Sequence, residues 1–131
     1  MLMAIAPLGM TANADNDEQI VAENIMQHYF TALKNGDVNT LKSLFDGEIL
    51  KKRLRLLNNP AYPEYLKNTY QGSTFDIVET RFISQGNVTI IAKISLGNQQ
   101  TLYRKFLLGH DGAKHETQFR ILSESAVLRP D

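Results

Sequence analysis

Two periodicities divide this chain. Up to about residue 71 the apolar positions recur every three or four residues; from about residue 74 they alternate with polar ones. In the first half, Asp17 is placed to cap a helix running to Asn35-Gly36, with Ala22, Ile25, Met26, Tyr29 and Leu33 on one stripe and Val21 and Phe30 widening it. Gly36 stops that helix, and Asp37 caps a short second one with Val38, Leu41, Leu44 and Phe45 inward. A third helical piece, about 48–57, presents Leu50, Leu54 and Leu57 on one face. Its other face carries Lys51, Lys52, Arg53 and Arg55 and reads as a solvated basic surface. Pro63 fits the first turn of a fourth helix bearing Tyr62, Leu66 and Tyr70. Strands are expected at 74–84, 87–96, 100–108 and 116–124, separated by Gly86-Asn87, Gly97-Asn98 and His110-Asp111-Gly112. Helices followed by hairpin-linked strands predict an α+β domain: N-terminal helices packed on a curved antiparallel sheet of about four strands.

Strand register decides which side chains look inward, because a slip of one residue reverses both faces. Three-residue loops at 85–87 and 97–99 place Phe82 opposite Ile90 and Ile90 opposite Phe106. Val78, Ile94 and Leu102 then form a second row, and Ser84, Val88 and Leu108 a third. The outer face receives Glu79 opposite Lys93, a favourable cross-strand pair. Between the apolar rows of the inner face lie Thr80, Ala92 and Arg104, with Asp76 near the end. A guanidinium placed there needs a counter-charge. Two sources are open: an internal acid, Asp76 or Glu23, or an acidic ligand. With His28 and Tyr29 from the first helix, the candidate ligand-binding residues are Arg104, Thr80, Asp76, His28 and Tyr29.

Composition narrows the partners. The chain has 131 residues, enough for one domain with its own core. Fourteen basic and fourteen acidic residues cancel, which argues against nucleic acid and anionic membranes as partners. Residues 1–10 are nearly all apolar and are followed by Ala12-Asn13-Ala14, an A-x-A cleavage pattern. The expectation is therefore a truncated signal-peptide remnant over 1–14, a single domain over 15–131, and a periplasmic or secreted location. That apolar run is too short to span a bilayer. There is no cysteine, hence no disulfide and no thiolate site. His28, His110 and His115 are scattered, and the pairs His110-Asp111 and His115-Glu116 read as solvated loop residues, so no metal or cofactor is expected.

The stretch from Ile25 through His28-Tyr29-Phe30-Thr31-Ala32-Leu33-Lys34-Asn35-Gly36-Asp37, with Leu41 and Leu44-Phe45, resembles the nuclear transport factor 2-like superfamily. Its members commonly open with an apolar helix ending in an aromatic, a small residue, a leucine and Gly-Asp. The closing stretch, Phe106 to Gly112 and Phe119-Arg120-Ile121-Leu122, resembles the superfamily's last hairpin, without its tryptophan. The resemblance implies a cone-shaped α+β fold, cystatin-like in outline, and points to the small exported members.

Three functions follow from these readings. The first is an exported, non-enzymatic binding or accessory domain whose cavity takes a small, anionic ligand or a peptide, anchored by Arg104. The second, implied by the resemblance, is a small isomerase, dehydratase or hydrolase using an in-cone carboxylate, with Asp76 as base and Tyr29, Tyr70 or His28 as donor. The third is a homodimer or other interaction module using the outer sheet face, where Ile77, Ile83, Ile91, Tyr103 and Leu107 sit among Arg81, Lys93 and Lys105.

Overall fold

The structure, a computed structural model, describes residues 6–84, 86–109 and 119–127, with the side chains of 6–17 and 84 outside the description. The predicted turn at 110–112, and with it His110, Asp111, His115 and Glu116, lies outside the described residues. Four helices precede four strands: α1 (Ala6–Asn35), α2 (Val38–Leu44), α3 (Gly47–Leu57), α4 (Tyr62–Tyr70), β1 (Thr74–Ser84), β2 (Asn87–Ser95), β3 (Thr101–Gly109) and β4 (Arg120–Val127). The strands form one antiparallel sheet in sequence order. Helix α1 begins well before Asp17, which therefore lies within it instead of capping it. Pro7 in the first turn is compatible with that earlier start. Among the described residues, no helix is long and apolar enough to cross a membrane.

The core lies between α1 and the inner sheet face. Met26, Phe30 and Leu33 meet Val88, Ile90, Ile94, Phe106 and Leu108, all buried. Phe30 stacks on Phe75 with centroids 4.0 Å apart. Helix α2 is capped as expected: Asp37 accepts a hydrogen bond from the Thr40 amide at 3.2 Å and from its hydroxyl at 2.7 Å. The link from α2 to α3 docks on β4, where Phe45 bridges Ile121 and the Asp46 amide donates to the Ile121 carbonyl at 3.1 Å. That docking covers the β4 side of the sheet and sets α3 across its end.

The β2–β3 register is the expected one, with Val88, Ile90, Ala92 and Ile94 opposite Leu108, Phe106, Arg104 and Leu102. The β1–β2 register is not. Ser84 pairs with Asn87, one residue tighter than a three-residue loop allows, and the ladder shifts between Ile77 and Glu79 and again between Phe82 and Ser84. Phe75, Ile77, Thr80 and Phe82 consequently face Ile94, Ala92, Ile90 and Val88. The physical reason is parity: Phe75 and Ile77 alternate on odd positions, Thr80 and Phe82 on even ones. One extra residue lets both pairs share a face. The extra residues, Val78 and Ile83, are exposed. Ile77, expected outside, packs against the core, and Asp76, expected inside, lies exposed opposite Lys93. Glu79 pairs with Arg81 at 2.6 Å instead of with Lys93.

Two backbone positions test this packing. Gly36 has φ +66°, and a Cβ there would lie 2.5 Å from the Pro63 carbonyl oxygen, where α1 ends against the start of α4. Gly36→Ala should lower unfolding free energy by about 2–4 kcal/mol in urea melts, from left-handed strain plus a backbone clash. Gln99, at φ +72° in the β2–β3 turn, is a non-glycine residue in the same region. Gln99→Gly should raise stability by roughly 0.5–1 kcal/mol in the same melts.

Candidate functional site

On α3, Ile49, Arg53 and Leu57 fall at i, i+4 and i+8, one face of the helix. Ile49 and Leu57 are buried and carry Arg53 inward between them, its side chain 31% exposed. Lys51, Lys52 and Arg55 stay exposed as expected, whereas Arg53 does not belong to that solvated face. Leu54, expected inside, is on the outside. The Arg53 guanidinium lies 5.5 Å from the centre of the Phe45 ring and 2.7 Å from Oε1 of Glu124.

Glu124 faces inward because of another bulge. Leu107 pairs with Ser123 but Leu108 pairs with Ile121, so Leu122 is the extra residue. An unbroken alternation with Ile121 inward would turn Glu124 to the outer face. Instead it sits opposite Phe106, with a side chain only 9% exposed. Tyr29 donates its phenol to Glu124 Oε1 at 3.1 Å, while its ring lies edge-on to Phe30, Phe45 and Phe106. On β3, Arg104 places Nε 3.8 Å from Glu124 Oε2. This is an ion pair beyond hydrogen-bond length, the one ion pair Arg104 makes among the described residues; its charge also acts on the Tyr70 phenol. One carboxylate thus serves two guanidiniums, and Arg53 holds it more closely.

These groups line an open cavity of about 490 Å³. Its walls carry four tyrosines, Tyr29, Tyr62, Tyr65 and Tyr70, with Leu33, Leu56 and Leu66 between them. Tyr62 and Tyr65 stack at 5.9 Å with their planes 15° apart. Burial, then the charge of Glu124, pushes the Tyr29 phenol well above its usual range. The phenols of Tyr62 and Tyr70 are raised as well, burial again leading. All three stay protonated donors at neutral pH. Burial works against the charge of Arg53, yet Glu124 and Tyr29 more than offset it and hold the guanidinium protonated.

Of the five residues singled out from the sequence, Arg104 and Tyr29 line this cavity and the other three do not. Thr80 donates to Glu23 at 3.0 Å, tying β1 to α1. Asp76 is on the outer face. His28, one position before Tyr29 and so turned about a quarter of the way round the helix, lies exposed in a separate surface groove with Asp37 and Thr40. Neither Asp76 nor Glu23 is the partner of Arg104; Glu124 is. The Ile49-Arg53-Leu57 spacing was the available signal for Arg53. Glu124 had none, because its facing depends on the bulge. Among the described residues, no group of three His, Asp or Glu side chains could hold a metal.

Helices over one face of a bent sheet, with a tyrosine-lined cavity at the α3–α4 end, define a cone-type α+β domain. The fold is nuclear transport factor 2-like in architecture, similar to that of one solved structure. A solved structure from Campylobacter jejuni, described as a "putative NTF2-like transpeptidase", matches with a TM-score of 0.51 at 15% identity, covering 75% of this chain and 94% of that one. No family model and no curated protein matches the chain.

Two variants probe the cluster. Glu124→Gln leaves two partly buried guanidiniums without a counter-ion and should cost about 2–3 kcal/mol, moderated because both are roughly one-third exposed. Tyr29→Phe should cost less, about 1 kcal/mol. It should also remove a pH dependence. The folded chain holds the Tyr29 proton more tightly than the unfolded chain, whose ordinary value is 10.0. Its contribution is therefore complete below pH 10.0 and is lost as pH rises towards the folded value. Melts between pH 9 and 11 should show wild type losing stability faster than Tyr29→Phe.

Proposed function

We propose that this chain is an exported, non-enzymatic binding domain whose cavity takes a small anionic ligand at Arg104. The observation that carries the reading is the charge imbalance. Among the described residues two guanidiniums and one carboxylate line the cavity, and the guanidinium with the weaker hold on that carboxylate is Arg104. Guanidinium groups suit anions of planar, two-oxygen geometry. Export is supported by the apolar stretch followed by Ala12-Asn13-Ala14.

An enzymatic reading has less support. Asp76, the base it needed, is on the far face of the sheet. Glu124 is the carboxylate at the cavity, and its oxygens are engaged by Arg53, Tyr29 and Arg104. Acyl transfer, the chemistry suggested by the neighbour's description, calls for an activated nucleophile such as serine, threonine or cysteine. None lines the cavity among the described residues. Arg104→Leu gives the test. With its one long ion pair, Arg104 contributes little to stability, so the variant should melt within about 1 kcal/mol of wild type. Native mass spectrometry of protein made in its own host should show a small co-purifying anion on wild type that Arg104→Leu lacks. An adduct retained unchanged by the variant, or a bare wild-type chain, would refute the reading.

A further inference from the structure

Charge count and wall chemistry together narrow the ligand class, on the footing of the binding role proposed above. Among the described residues the cavity has one positive charge beyond balance, since the acid that lines it beside Arg53 and Arg104 is Glu124. A monoanion neutralises it. A dianion would also meet the Glu124 carboxylate, which lies within ion-pair distance of the same Arg104. The phenols of Tyr62 and Tyr70, kept protonated, add donors and no cation. The remaining wall is the Tyr65 ring with Leu33, Leu56, Ala61 and Leu66, and one amide, Asn59. Tyr65 is 60% exposed and Leu56 45%, a degree of exposure that large apolar side chains at a cavity lose when a ligand body covers them. The parallel Tyr62–Tyr65 pair offers ring faces for offset stacking. A cavity of about 490 Å³ holds one molecule of drug-like size.

We infer that the ligand is a monocarboxylate carried on a planar, aromatic body. Its carboxylate pairs with Arg104, and its ring lies against Tyr62 and Tyr65. The same chemistry is offered by a free aromatic acid and by the C-terminus of a peptide ending in an aromatic residue.

Isothermal titration of the purified chain with phenylacetate, acetyl-Gly-Phe, acetate, phenylacetamide and inorganic phosphate tests this. Phenylacetate or acetyl-Gly-Phe should bind at least about tenfold more tightly than acetate, phenylacetamide or phosphate, and the tighter of the two names the source. Arg104→Leu should lose at least about tenfold and Arg104→Lys less. Tyr65→Ala, at an exposed position that leaves the fold intact, should weaken the aromatic probes several-fold and leave acetate unchanged. Acetate or phosphate binding as tightly as the aromatic acids would overturn the class while leaving the anion site standing. Anion binding indifferent to Arg104→Leu, or no binding by any anion, would overturn both the class and the binding role beneath it.

Discussion

A single carboxylate holds the working end of this domain together. Glu124 of β4 accepts from Tyr29 of α1 and from Arg53 of α3, and sits within ion-pair distance of Arg104 of β3. Four elements distant in sequence therefore converge on one side chain that is 9% exposed. A carboxylate so withdrawn from water is tolerated only with strong partners. Here it has a phenol and one close guanidinium, which leaves the second guanidinium only loosely matched. The same arrangement that stabilises the junction of helices and sheet thus leaves a cation facing the cavity.

The layering of helices on strands was legible because helical spacing and strand alternation are independent of long-range detail. The β2–β3 register was legible too, since the three-residue turn at 97–99 and two clean alternations agree. Within the strands, where the reading failed, the cause was the same each time: an extra residue. Val78 lets Phe75 and Ile77 share a face with Thr80 and Phe82, and Leu122 turns Glu124 inward below Ile121. Parity within a strand cannot reveal a bulge when apolar residues stand on both sides of it. Thr80 kept its inward face yet found Glu23, because α1 crosses β1 there.

The candidate site divides along the same line. Tyr29 and Arg104 came from elements whose faces were read correctly. Arg53 was written off with its basic neighbours, although the buried Ile49 and Leu57 one turn away on either side bring it inward. The tyrosines of α4 were visible as a helical stripe, but their role as a wall appears only when α3 and α4 are set over the sheet end. The fold supplies that cone and does not specify what fills it. The chemistry at its mouth belongs to this chain's own arginines and tyrosines.

The central claim is that Glu124 holds Arg53 while Arg104 stays available. Side-chain ¹⁵N NMR of the arginines measures this directly, through hindered guanidinium rotation and slowed Nε–H exchange. In the free protein, Arg53 should be restricted and Arg104 should be more mobile than Arg53, becoming restricted when phenylacetate is added. Arg53 and Arg104 both rotating as freely as the exposed Arg55, with or without phenylacetate, would contradict the account.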